Sequence, residues 1–305
     1  MSSAARDFAV PPQLDLSLTL GPVRVGRPDQ TIRLTQREVV RAAHTPDGPG
    51  TIHIGLAGER AQAQAWGAGA TWLLEQAPTW LGCHDDPSAL VPQHAHVERA
   101  VRRLPGLRIG ASGQVADVLV PTILGQKVTS QEAHRSWYGL VRRHGHDAPS
   151  PVDGLRLPPT PAELASMPYE VFHPVGVERR RAETVQRACA RIDRLQEATT
   201  MPPDAAHQRL TALPGLGPWT AGVIRRVCFG DPDAVEWGDF HIPDHVCWNL
   251  AGEPRGSDER MAELLAPYAG QRGRALRLVL LAGQPAPAWG PRTAVRPGLT
   301  GQRAT

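Results

Sequence analysis

The chain is 305 residues long, 41% hydrophobic and 21% charged, with a formal net charge of +3. That length favours two domains, or one domain with a sizeable appendage, and the charge is mild for a nucleic-acid binder. No run of eighteen apolar residues occurs, which excludes a transmembrane helix, and the four cysteines form no C-x-x-C, which excludes a locally built zinc ribbon or four-cysteine iron–sulfur loop.

Residues 1–12 lack an apolar signal region and are expected to be a disordered lead into the fold of a cytoplasmic protein with reduced thiols. Leu14 to Leu20, LDLSLTL, alternates apolar and polar at period two, the pattern of a half-buried strand. Thr31–Leu34 and Thr51–Leu56 are short β-branched runs on either side of the turn sequence TPDGPG. The stretch AQAQAWGAGATWLLEQAPTWLG then predicts one or two helices carrying Trp66, Trp72 and Trp80. Residues 13–96 are thus expected to form a small β-rich domain. At its end Cys83, His84, Asp85, Asp86, His94 and His96 gather in a loop without a regular ligand spacing, so no metal is assigned.

From Val97 onward helical patterns dominate to residue 283, and the fold class is α+β: a small β-rich N-terminal domain followed by an all-helical one. Between Val97 and Gly145, Arg99, Arg102, Arg103, Arg108, Lys127, Arg135, Arg142 and Arg143 stand against Glu98, Asp117 and Glu132, an excess of five that predicts a local basic surface. Lys127 is the one lysine in an otherwise arginine-only set of cations. Residues 284–305, rich in proline and glycine, are expected to be a disordered tail.

The most informative stretch runs from Leu210 to Gly252. A helix ends before LPGLG, two glycines supply a tight turn, and Pro218 opens a second helix at the position where its missing N–H costs nothing. The amides of Gly215 and Gly217, with the positive end of the second helix, can hold a phosphate and position DNA without selecting its sequence. An ordinary interhelical turn uses the same residues. Twenty-two residues after Gly217 comes Asp239, at or just before another helix start marked by Pro243, where a carboxylate is favoured. It is either a simple cap or a carboxylate aimed at a cleft, able to stabilise a developing cation.

LPGLGPWTAGV followed by GDFHI at this distance resembles the helix-hairpin-helix DNA glycosylase superfamily, whose motif ends in a catalytic aspartate, and LVPTILGQKVTSQEA resembles its I-L-x-Q segment. A β-rich domain ahead of the helices, without a cysteine cluster, resembles the AlkA-like 3-methyladenine DNA glycosylase II branch. The likeness covers roughly residues 14–283.

The resemblance implies a nucleoid-associated, monomeric repair enzyme acting on double-stranded DNA. It would flip out N3- or N7-alkylated purines and hydrolyse the N-glycosidic bond with Asp239, leaving an abasic site, with no cofactor and no membrane partner. The hairpin set would be Leu213, Gly215, Leu216, Gly217, Trp219 and Thr220, with a monovalent cation possible on the hairpin carbonyls and no other metal. Where bifunctional members carry a Schiff-base lysine this chain has Trp219, which suits a monofunctional enzyme and can stack on an electron-poor base.

Trp237 and Phe240 are further base-pocket candidates, with core packing the alternative, and the last helix offers only Leu280 where the AlkA-like pattern places an aromatic. Gln126 and Lys127 lie where the family inserts a wedge into the gap left by the flipped nucleotide, although Lys127 could equally be a solvated helix-end charge. Two other readings stay open: a non-catalytic lesion-binding protein, and a bifunctional glycosylase/lyase for oxidised bases with Lys127 as its amine.

Overall fold

A computed structural model describes residues 3–287. A five-stranded antiparallel sheet is formed by β1 (Ser3–Ala9), β2 (Ile32–Leu34), β3 (Glu38–Thr45), β4 (Gly48–Ala57) and β5 (Arg60–Gly67), in spatial order β1-β5-β4-β3-β2. The helix α1 (Leu16–Leu20) lies between β1 and β2, and α2 (Ala70–Trp80) packs on the sheet.

Three expectations change here. Residues 3–9 are not a loose lead but the edge strand β1, in register with β5 from Ser3 opposite Trp66 to Ala9 opposite Arg60. LDLSLTL is helical at Leu16–Leu20: Asp15 accepts the Leu18 amide at 3.0 Å as an N-cap, and Leu16 and Leu20, four residues apart, share a buried face. AQAQAW is strand, because its alanines face the core while Gln62 and Gln64 face solvent, a period of two that small residues make easy to mistake for a helix former.

The helical part comprises α3 (Ala95–Arg103), α4 (Val115–Leu124), α5 (Ser130–His144), α6 (Pro161–Ser166), α7 (Tyr169–Phe172), α8 (Arg179–Cys189), α9 (Ile192–Gln196), α10 (Pro203–Thr211), α11 (Pro218–Cys228), α12 (Ile242–Ala251), α13 (Asp258–Leu265) and α14 (Arg272–Ala282). It has two cores rather than one. The first is built from α4 to α11, with Leu119, Ile123, Leu140, Phe172 and Ile224 fully buried. The second joins α3 to α12–α14 through Val97, Val246, Leu265 and Val279. The chain passes from one core to the other along residues 229–241, which places that segment at their junction.

Residues 288–305, most of the expected disordered tail, lie outside the described residues. Gln284, just before them, is held by Asn249 through two hydrogen bonds of 2.8 and 2.9 Å. Among the described residues no helix is long and apolar enough to cross a membrane.

Candidate active site

The hairpin joins α10 to α11. Leu213 and Leu216 point into the first core and pin the turn from beneath, while Gly215 adopts φ +99°, open to glycine, with the Thr184 side chain filling the space a Cβ would need. Thr220 is 2% exposed. The side chains of Leu213, Leu216 and Thr220 are therefore packed inside, so only their backbone groups could serve in the expected contact set. Gly215, Gly217 and the partly exposed Trp219 remain at the surface, above first-turn amides that lack intrahelical partners. The carbonyl of Leu213 accepts the Leu216 amide at 3.0 Å, and that of Gly215 accepts Gln126 Nε2 at 3.0 Å.

Gln126 Nε2 also donates to Thr220 Oγ1 at 3.0 Å. Gln126, expected in the wedge, here tethers the α4–α5 loop to the hairpin. Lys127, the next residue, is exposed and has φ +56°, a left-handed backbone rare for a residue with a Cβ. The loop then closes on a capping box, Thr129 with Glu132, at the start of α5.

Asp239 sits two residues before the N-cap of α12. Its Oδ1 accepts the amides of His241 and Ile242 at 2.8 and 2.9 Å, and its Oδ2 accepts the Trp219 indole N–H at 2.9 Å. One oxygen thus meets the cap alternative at the start of α12, and the other is held by the first turn of α11. A close backbone approach and an ion pair set its distance from α11. A Cβ on Gly222 would lie 2.3 Å from the Val235 carbonyl, so α11 lies directly against the segment leading to Asp239. Glu236, 4% exposed, accepts Arg226 Nε from α11 at 2.6 Å, and Asp258 of α13 accepts the Gly238 amide at 2.7 Å.

Of the other aromatics, Trp237 packs on the second core, the alternative weighed for it, whereas Phe240 is 88% exposed and sets its ring edge-to-face with His241, 4.9 Å between ring centroids. Leu280 packs on the second core as well. Of the basic stretch, Arg99, Arg102, Arg103, Lys127, Arg135, Arg142 and Arg143 are exposed, whereas Arg108 is buried and donates to the carbonyls of Pro105 and Leu107; Arg102 pairs with Glu98. No group of three or more metal-ligating side chains occurs among the described residues; Asp85 pairs with Arg274 instead, and Asp86 caps the turn at Ser88.

Gln126, Gly222, Glu236 and Asp258 are supports that the sequence does not announce, since each acts across at least ten residues on a partner with no local signature.

No protein-family profile matches the chain. Over 165 residues, 52% of its length, it is 29% identical to a Mycobacterium tuberculosis protein described as a probable bifunctional transcriptional activator/DNA repair enzyme AlkA, and the match spans about a third (32%) of that protein. Its fold resembles that of a 3-methyladenine DNA-glycosylase from Archaeoglobus fulgidus, with a TM-score of 0.74, 17% identity, and 91% and 98% of the two chains covered. It also resembles a Clostridium acetobutylicum 8-oxoguanine glycosylase/lyase solved with double-stranded DNA, with a TM-score of 0.69, 13% identity, and 88% and 91% covered. The chain thus resembles AlkA proteins over about half of its sequence and shares its fold with DNA glycosylase structures.

Proposed function

We propose that this protein is a monofunctional DNA glycosylase that excises alkylated purines from double-stranded DNA as a monomer in the cytoplasm. The observation that carries the reading is the Asp239 carboxylate, held by three N–H donors with one oxygen turned to the hairpin and Trp219. A carboxylate fixed in this way has no reorganisation left to do when positive charge develops on the sugar, which is the condition for electrostatic stabilisation of an oxocarbenium-like transition state.

The division of labour follows from the elements. The hairpin amides hold the backbone phosphate, Lys127 fills the gap left when the nucleotide is flipped at a cost of a few kcal/mol, and the face of Trp219 meets the base. An alkylated purine carries positive charge, attractive to an aromatic face, and leaves without much acid assistance. That agrees with a site built around one carboxylate rather than an acid–base pair. The fold neighbours named above act on both alkylated and oxidised bases, so the substrate class rests on the aromatic face of Trp219, and the monofunctional mechanism on Trp219 standing where a lyase would need an amine.

The test is to incubate the protein with alkylated genomic DNA and identify the bases released. Asp239→Asn is expected to cut release by at least about a hundredfold while DNA binding persists. Unchanged release would remove the catalytic assignment, and a covalent adduct trapped by borohydride would replace the hydrolytic mechanism with a lyase one.

A further inference from the structure

An open cleft of about 400 Å³ lies on the sheet domain, between residues 24–34 and the loop at Gly154. Three guanidinium groups line it, Arg24 and Arg27 from the segment ahead of β2 and Arg33 from β2 itself. Arg27 and Arg33 are exposed, Arg24 is half-buried, and none of the three has an ion pair among the described residues. Their bonds to the protein leave donors to spare: Arg24 reaches the Leu34 carbonyl at 3.5 Å, and Arg33 donates to the carbonyl of Asp153.

One carboxylate lines the cleft, and it is committed elsewhere. Asp29 is 7% exposed; its Oδ2 accepts the Val25 amide at 2.8 Å, and its Oδ1 accepts the Thr31 amide, the Thr31 hydroxyl and the Trp137 indole N–H at 3.0, 2.8 and 3.1 Å. It shapes the segment and holds it on α5. Three arginines against one aspartate leave an excess of two positive charges, in a chain whose net charge is only +3.

The position of the cleft decides what can fill it. A Cβ on Gly26 would lie 2.6 Å from His134 Nδ1, so the arginine segment rests on α5 at His134 as well as at Trp137. That helix begins at Ser130, three residues after Lys127, and rises only about 6 Å between Ser130 and His134 at 1.5 Å per residue. The cleft therefore lies beside the first two turns of the helix that follows the Lys127 loop, and Gln126 ties that loop to the hairpin. Guanidinium forks match phosphate oxygens, and no aromatic side chain lines the cleft to stack on a base. The chemistry is that of a sugar-phosphate backbone rather than a free nucleotide.

We infer that this cleft is a second DNA-contacting surface, in which Arg24, Arg27 and Arg33 hold phosphates of the duplex flanking the damaged nucleotide. The inference rests on the glycosylase reading for the DNA it meets. Phosphate contacts read no base, so the sheet domain adds affinity and fixes the duplex's direction without selecting the lesion.

The probe is a duplex with a stable abasic analogue at its centre, and the same duplex shortened from either end. Shortening one flank should weaken binding by the full-length protein about tenfold, and the triple variant Arg24→Gln, Arg27→Gln, Arg33→Gln should be about tenfold weaker on the long duplex and indifferent to that flank. The slope of log affinity against log salt should fall by about one in Arg27→Gln, a change at an exposed side chain, and by about two to three in the triple variant. Single-turnover base release at saturating protein should be unchanged in both. An unchanged salt slope, or an equal loss of affinity on long and shortened duplexes, would overturn the cleft, the latter because general charge acts on every duplex alike. Absence of base release by the unmodified protein would instead remove the glycosylase reading, and the binding series would still decide the cleft.

Discussion

Lys127 occupies a backbone conformation that costs a residue with a Cβ roughly 1–2 kcal/mol, and it does so in a chain that offers no second lysine. Such strain persists only where the surroundings impose it, and here the Gln126 tether on one side and the Thr129–Glu132 capping box on the other do so. Lys127→Gly should therefore stabilise the fold by about 0.5–1 kcal/mol, the relief of strain less the added freedom of the unfolded chain, while weakening affinity for abasic DNA. Denaturant titration and a binding titration on the same variant check both. If the affinity loss does not exceed that of Arg142→Ala, the lysine is a solvated charge rather than a wedge. Trp219 offers both an aromatic face and a donor to Asp239, which one substitution separates. Trp219→Phe keeps an aromatic face but deletes the donor to Asp239 Oδ2, and should slow single-turnover base release by about tenfold, the equivalent of about 1.4 kcal/mol, with little change in DNA affinity. A parallel loss of affinity would show that stacking, not orientation of the carboxylate, is what the indole supplies.

Elements were legible where a local signal and the tertiary demand agreed. The hairpin, Pro218 at the first helical turn and Asp239 ahead of α12 are encoded within a few residues each, and they fold where those signals place them. The alternating stretch at Leu14–Leu20 misleads because Asp15 supplies a cap that alternation ignores, and AQAQAW because alanine favours helices while its spacing obeys the sheet. The supports of Asp239 were not legible at all: the close approach at Gly222 and the bonds from Asp258 and Glu236 exist only once distant elements have docked. At α6 the capping box of Thr160 and Glu163 makes an element-level prediction in pH. Burial raises the Glu163 carboxyl, but the bond from His146 and those from the Thr160 amide and hydroxyl outweigh it and bring it down to about 2, from 4.5. A carboxyl lowered by folding stabilises fully above its unfolded value and loses that contribution as pH falls to the folded one. The Tm deficit of Glu163→Gln should then be constant above pH 4.5 and shrink towards nothing as pH approaches about 2. A deficit independent of pH over that window would mean that the glutamine replaces the cap in full.

On the scale of the whole molecule, two buried ion pairs tie the sheet domain to the helices. Arg41 of β3 pairs with Asp117 of α4, and Asp85, after α2, pairs with Arg274 of α14. Each helical core thus receives one buried ion pair from the N-terminal domain, and the indole N–H of Trp137 on α5 adds a bond to Asp29 at 3.1 Å. Burial holds the Asp117 carboxyl above its ordinary value against the pull of Arg41, so the pair is a fastener whose net worth depends on both members being present. Asp117→Ala leaves the Arg41 guanidinium buried with only the Trp80 ring, 5.0 Å from its centroid, to face. The expected loss is about 3–5 kcal/mol in chemical denaturation. The double variant Arg41→Met, Asp117→Leu removes the charges together and should recover most of that loss, because the desolvation cost goes with the ions. Were the double variant no better than Asp117→Ala, the pair would be supplying geometry that apolar contact cannot. In that case unfolding should split into two transitions, as the sheet domain comes away from α4 before the helical cores melt.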